Sequence, residues 1–239
     1  MEYIEFENIF KDECIKNNIF IKEEKIESFY NYMKYLLDWN EKINLTAITN
    51  EKEFIVKHFV DSLTISEIVG DNKRIIDIGT GGGFPGIPLK LLNENLNVSL
   101  IDSVNKKIMV LNDIINKMKL ENIEAIHIRA EDLAQNPNYR EGFDFAVSRA
   151  VSNLNTLVEY LLPFVKIGGY AICMKGPGYD EELEASKNAI EKLGGKVEKI
   201  KEIKVSKELD RNIVIIKKIK KTDKKYPRGQ GKPLREPIK

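Results

Sequence analysis

Hydrophobic positions change their rhythm twice along the chain. Over the first 70 residues they recur at helical spacing. Ile26, Phe29, Tyr30, Met33, Leu36 and Leu37 stand three and four apart and so share one helix face. Trp39-Asn40 leads into a turn-like stretch at 42–48, and a second helix is predicted over 51–69 with Phe54, Ile55, Phe59 and Leu63 on its apolar side. From 74 onward short apolar runs take over, at 74–78, 97–101, 123–128, 143–147, 170–174, 196–205 and 212–217. Amphipathic stretches, among them 106–118, 153–162 and 181–193, lie between them. Strands alternating with helices predict an α/β fold with βαβ units. Its sheet is mostly parallel, covered on both faces, and carries ligand sites at the carboxyl ends of its strands. Only Ser206-Lys207-Glu208-Leu209-Asp210 separates the last two runs, which predicts a hairpin and an antiparallel last strand. The pattern divides the chain into an N-terminal helical extension (1–70), a sheet domain (71–218) and a C-terminal tail (219–239).

Composition changes this picture at one end. Hydrophobic residues make up 42% of the 239 and charged ones 31%, enough to build a core, and the formal charge is only +1. The balance is uneven, because 217–239 holds ten Lys and Arg against Asp223 and Glu236, a local 10 − 2 = +8 that leaves 1 − 8 = −7 for the rest. With Pro227, Gly229, Gly231, Pro233 and Pro237 and no periodicity, this segment reads as a flexible or loosely docked tail that meets a polyanion. Nothing approaches the roughly 18 apolar residues of a membrane span, and the first residues lack the basic start and apolar run of a secretory signal. Without secretion, the sequon Asn44-Leu45-Thr46 carries no weight. Cys14 and Cys173, with two distant histidines, make neither a disulfide framework nor a metal site. These features predict a reduced, cytoplasmic protein with no membrane attachment.

The strongest chemical signal is 75–88, Ile-Ile-Asp-Ile-Gly-Thr-Gly-Gly-Gly-Phe-Pro-Gly-Ile-Pro, in which an apolar strand runs into a glycine turn and a helix opens. Glycines let the backbone approach a ligand and take positive φ, and the helix start offers free N–H groups to an anion such as a carboxylate. Phe84 stands where the dinucleotide fingerprint needs its third glycine, and no Gly-Lys-Ser/Thr follows, so the loop is neither a dinucleotide motif nor a P-loop. Asp102 ends the second run 23 positions after Gly79, the spacing at which a carboxylate takes the two hydroxyls of an adenosine ribose; otherwise it is a solvated loop carboxylate. After the third run come Arg129-Ala130-Glu131-Asp132, where an acid either lies beside an adenine or simply opens a helix. Ser148-Arg149-Ala150 follows the fourth run. Four successive strand ends thus each present a ligand contact.

This set resembles the class I S-adenosylmethionine-dependent methyltransferases, whose Rossmann-like sheet matches the predicted one. The resemblance narrows through Trp39-Asn40, Asn44-Leu45-Thr46, His58-Phe59, Asp61-Ser62-Leu63, the block from Asp77 to Pro88, Val147-Ser148-Arg149-Ala150 and Tyr226-Pro227-Arg228. Together these are similar to the bacterial ribosomal RNA small subunit methyltransferase G family, also called glucose-inhibited division protein B, over nearly the whole chain. The resemblance implies methyl transfer from S-adenosylmethionine, leaving S-adenosylhomocysteine, to N7 of one guanine in the 530 loop of 16S rRNA, on the small ribosomal subunit or its precursor. It implies Gly79, Gly81 and Phe84 of the loop, with Asp102, Ala130, Glu131 and Arg149, as cofactor contacts. Gly82 stands where relatives commonly have Ala.

Absent features agree with that chemistry. No Asn/Asp-Pro-Pro-aromatic segment, used to hold an exocyclic amine, follows the fourth run, and Cys173 lies inside an apolar strand. Guanine N7 has a free lone pair and loses no proton on methylation, so no acid or base is assigned. His58, the one nearby candidate, reads as a hydrogen-bonded structural residue. The basic tail, with Lys175 after the fifth run as a second candidate, is expected to contact RNA phosphates, so that its removal weakens RNA binding and leaves cofactor affinity unchanged. A methyltransferase of a small molecule or protein, and a cofactor-binding assembly factor without catalysis, stay open as alternatives. A monomer is expected.

Overall fold

The computed structural model describes residues 1–149 and 152–239. Ala150, part of one of the motifs above, lies outside the described residues. Two long helices open the chain, α1 (Tyr3–Lys16) and α2 (Glu23–Asn40), with the predicted apolar face of α2 buried from Ile26 to Leu36. The stretch expected as one helix over 51–69 is broken: α3 (Glu51–Phe54) passes through a π-helical turn, Ile55–Val60, into α4 (Asp61–Leu63), and α5 (Ser66–Val69) stands apart. Apolar spacing of three and four cannot register the extra residue of a π turn, which is a local insertion common at functional sites.

The strands are β1 (Arg74–Ile78), β2 (Asn97–Asp102), β3 (Ile123–His127), β4 (Phe143–Arg149), β5 (Val165–Lys175), β6 (Gly195–Ser206) and β7 (Leu209–Lys218). They form one seven-stranded sheet in the order β3-β2-β1-β4-β5-β7-β6. The pairs among β1 to β5 are parallel, and β7 runs antiparallel between β5 and β6. The hairpin expected after 205 is therefore present, and its second strand is the one inserted next to β5. Strand order reverses between β1 and β4, the switch point at which open α/β sheets bind ligands beyond their strand ends.

Alternation along each strand builds two apolar layers. Ile75, Phe145, Val147, Ile172, Ile213 and Ile215 face α1, α2, α6 (Gly86–Leu92) and α7 (Asn105–Lys117). Ile76, Ala146, Ala171, Cys173, Val214 and Ile216 face α8 (Ala130–Leu133), α9 (Leu154–Leu161) and α10 (Tyr179–Lys192). On the first face Phe59 is the hub, with the rings of Phe10, Phe29, Tyr32 and Phe54 centred 5.2–5.8 Å from it. The helical extension therefore shares the sheet's own core. Among the described residues no helix is long and apolar enough to cross a membrane.

The tail is not loose. Arg140 donates to the carbonyls of Thr222, Asp223 and Tyr226, and Lys218, fully buried, donates to Leu162 O and Thr222 Oγ1 at 2.5 Å. Burial pushes the Lys218 ammonium down to about 8. Arg228 clasps the buried Glu159 of α9 with Nε at 2.9 Å and Nη2 at 2.7 Å, and Ile238 is buried against the second layer. The chain then ends in a short helix, α11 (Lys232–Arg235), and its last residues. Charge counting misreads this segment because two of its cations are consumed inside the fold by partners far away in sequence.

Candidate functional site

The glycine loop leaves β1 while still paired to β2, since the amides of Gly79 and Thr80 both donate to Ile101 O, at 2.9 and 3.1 Å. Gly79, Gly81 and Gly83 take positive φ (70, 60 and 97°). Gly83 is also sterically required: a Cβ there would lie 2.7 Å from both Ile87 Cδ1 and Tyr32 Oη. The start of α6 does not present the free amides that the sequence suggested. Gly86 N donates to Asp77 Oδ2 at 2.9 Å, Ile87 N donates to Gly83 O, and Pro88 has no N–H. The anion at this helix start is the chain's own Asp77. Its Oδ2 also accepts from Thr80 Oγ1 at 2.8 Å, while its buried Oδ1 finds no partner among the described residues. Burial pushes the Asp77 carboxyl up to about 6.

Asp102 anchors the other side of the loop. Its Oδ2 accepts from Gly81 N at 3.0 Å and its Oδ1 from Val104 N at 2.9 Å. Lys107 Nζ also lies 3.5 Å from Oδ2, and Oδ1 keeps a lone pair beyond its single bond. Asp102 is therefore first a loop-holding group, and it still faces a cleft. That cleft has a volume of about 270 Å³ and opens at the carboxyl ends of β1, β2 and β3. Gly79, Asp102, Ala130 and Glu131 line it, with Ile78, Ile101 and Ile128 as apolar floor and Tyr160 of α9 at one side. Its last wall comes from the tail, through Gly231 and Leu234. Buried carboxylates beside apolar surface suit a ligand that combines hydroxyl donors with a flat ring, and an adenosyl group is such a ligand. A larger groove of about 600 Å³ lies by the starts of β1 and β2, between 18–25, 66–71 and 89–96, and holds no residue of the glycine loop.

Phe84 and Arg149 are not in this cleft; they meet on the other side of the loop. Arg149 Nη1 lies 2.9 Å from Asp61 Oδ2 and donates to Lys57 O, and Arg211 Nε reaches Asp61 Oδ1 at 2.8 Å. Asp61 is fully buried between the two guanidinium groups. His58 stacks on Phe84 with ring centres 4.3 Å apart and planes 5° from parallel, and the Arg149 guanidinium carbon lies 5.0 Å from the Phe84 ring. Both imidazole nitrogens are engaged, Nε2 with Thr46 Oγ1 at 2.7 Å and Nδ1 with Arg149 Nη2 at 2.9 Å. Burial, reinforced by the Arg149 charge, pushes the His58 imidazole down to about 3. Burial also pushes the thiols of Cys14 and Cys173 up to about 12, so neither supplies a thiolate near neutral pH.

Four of the seven residues expected at a cofactor, Gly79, Asp102, Ala130 and Glu131, thus share one cleft, and Gly81 does not line it but donates its amide to Asp102, which does. Lys175 does not line it but borders it, donating to the carbonyl of Ser152, a lining residue, at 2.8 Å and pairing with Glu182 at 2.7 Å. Sequence pattern does not single out Tyr160, Gly231 and Leu234, for they arrive from an apolar helix and an aperiodic tail. Among the described residues no cluster of His, Cys, Asp and Glu could hold a metal ion.

A family model of rRNA small subunit methyltransferase G matches residues 25–214. The chain belongs to that family. It is 51% identical over 219 residues to a ribosomal RNA small subunit methyltransferase G of Clostridium novyi, covering 90% of each chain. To that of Alkaliphilus metalliredigens it is 46% identical over 239 residues, covering 99% of this chain and 100% of the relative. Solved structures agree on the fold. A SAM-dependent methyltransferase from Aquifex aeolicus superposes with a TM-score of 0.51 at 19% identity, covering 69% of this chain and 92% of its own. M. jannaschii TYW2, solved in complex with AdoMet, superposes with a TM-score of 0.54 at 18% identity, covering 66% and 75%.

A histidine stands beside the loop, and burial with the Arg149 charge disfavours protonation of its ring. The His58 resonances, followed by NMR, should stay constant from pH 8 to pH 5, and a midpoint near the 6.5 of a free ring would contradict the packing described. Between about 3 and 6.5 the folded state binds fewer protons than the unfolded one, so this ring's contribution is present above pH 6.5 and lost as pH falls toward 3.

Proposed function

We propose that this chain transfers a methyl group from S-adenosylmethionine to N7 of a single guanine in the 530 loop of 16S rRNA, in the cytoplasm. The reaction class follows from membership in the family, a methyl transfer that uses S-adenosylmethionine and acts on small-subunit ribosomal RNA. The observation that carries the site is the convergence of Gly79, Asp102, Ala130 and Glu131 on one cleft at three adjacent strand ends. Asp102 and Glu131 would take the hydroxyl and amine donors of the adenosyl group, and Ile78, Ile101 and Ile128 would cover its ring. When bound, the donor supplies an electrophilic methyl carried on a positive sulfur.

The rest of the chemistry falls to alignment. Guanine N7 presents a free acceptor lone pair and loses no proton, so the protein needs no base, and it offers none at His58. Holding the nucleophile in line with the methyl is worth up to roughly 7–11 kcal/mol in favourable cases. A loop tied to Asp102, to Asp77 and to Phe84 keeps one side of that arrangement rigid. The guanine has to leave its stack to arrive, which is why a single-stranded loop suits as substrate.

The decisive assay is methyl transfer from labelled S-adenosylmethionine to 30S subunits lacking this modification, with strand cleavage at 7-methylguanine mapping the product. One labelled guanine in the 530 loop is the expected result. Label at other bases, or none with the donor bound, would overturn the reading.

The tail enters through its outer cations. Lys220, Lys221, Lys224 and Lys225 are exposed, unlike Lys218 and Arg228. Because Gly231 and Leu234 wall the cleft, deleting the tail would disturb both ligands, and point changes are the cleaner probe. Reversing these lysines to glutamate should weaken RNA binding and lower its salt slope by roughly 0.7 for each lysine that pairs with a phosphate. An unaltered slope would remove the tail from the RNA interface.

A further inference from the structure

The segment that closes the cleft is strapped down on both sides of the point where it meets the site. Before that point Arg228 holds Glu159, its backbone amide donating to Glu159 Oε1 at 2.8 Å and its guanidinium gripping both carboxylate oxygens. Within the turn Thr156 Oγ1 donates to Pro233 O at 3.0 Å, and beyond it Arg228 Nη2 reaches Glu236 O at 2.8 Å and Ile238 is buried. Between these anchors Gly231 adopts a left-handed conformation (φ 67°, ψ 15°) and donates its amide to Glu131 Oε1 at 3.1 Å. The tail therefore touches the same carboxylate that faces the cleft.

Leu234 is the telling side chain. It lines the cleft, yet 64% of it is exposed. Elsewhere in the tail Pro227, Pro233 and Ile238 are buried, while Ile219, at the end of β7 and outside the cleft lining, is 49% exposed. An apolar group held at the mouth of a cleft floored by isoleucines loses that exposure when a flat apolar ring enters opposite it. Tyr160 stands in the same lining, and burial together with the Glu131 and Glu159 charges pushes its phenol up to about 12, so it remains a neutral hydroxyl.

We propose that the Gly231–Leu234 turn is the outer wall of the methyl-donor site, that Leu234 with Tyr160 contacts the donor's adenosyl end, and that donor binding and tail docking stabilise each other. The inference rests on the cleft being the donor site. Reciprocity is required thermodynamically: if the ligand binds the docked tail better than the undocked one, occupancy favours docking by the same factor. The basic tail is then more than an RNA arm. It connects the cation-rich surface that meets RNA to the pocket that holds the donor.

The test uses the full-length protein and S-adenosylhomocysteine. Calorimetric affinities are compared for the wild type, Leu234→Ser and Asp102→Ala, and amide exchange of 229–238 is followed with and without ligand. Leu234 is exposed, so its replacement leaves the packing of the fold in place. The proposal expects Leu234→Ser to weaken binding about tenfold, the scale of one apolar side chain's burial, and tail amides to exchange several-fold more slowly with ligand. Unchanged affinity in Leu234→Ser and unchanged tail exchange, with Asp102→Ala weakened, would overturn this inference alone. Wild-type affinity in Asp102→Ala would overturn the cleft assignment and this inference with it.

Discussion

A carboxylate buried with no access to water has to be matched by charge, and Asp61 is matched twice. Arg149 reaches it from the end of β4 and Arg211 from β7, so one acid in the helical extension locks to two strands of the sheet. Removing one partner of such a group typically costs about 3–5 kcal/mol, because the charge that remains is stranded. The same Arg149 places its other donors on Lys57 O and His58, and His58 stacks on Phe84. The position of the glycine loop thus follows from an ion pair on the far side of it.

The loop is consequently held from three directions. Asp77 occupies the start of α6, Asp102 draws in Gly81, and Phe84 is set into the aromatic cluster around Phe59. A site whose job is to align a nucleophile with a methyl group gains from such rigidity, since movement of an ångström can cost far more than any single contact provides. The two ends of the chain divide the work. The N-terminal helices support the loop from one face of the sheet, and the C-terminal tail closes the cleft from the other. The tail's Arg228 and the extension's Asp61 use the same device, a buried acid met by a guanidinium.

The strands were legible because alternate residues had to be apolar on both faces. The run at 74–78 coincides with β1, and that at 97–101 stops one residue short of β2 only because Asp102 is polar. That Asp102, Ala130 and Glu131 meet in one cleft was legible by position, since strand ends on one side of a switch point converge. Their occupancy was not. Gly81 N and Val104 N, which fill part of Asp102, are backbone donors with no sequence signature. Arg149 ended a strand as expected, but a strand end fixes a backbone and leaves a long side chain free to turn toward Asp61. The tail departs furthest from its pattern: Arg228 and Glu159 lie 69 residues apart, and no local signal pairs them.

The measurement that bears most directly on this account is a crystal structure with S-adenosylhomocysteine bound. The account predicts the adenosyl group in the cleft at the ends of β1, β2 and β3, with a ribose hydroxyl on Asp102 and the ring between Ile128 and the tail. Density in the groove near the strand starts, or in the cleft with Asp102 and Glu131 both out of reach, would contradict it.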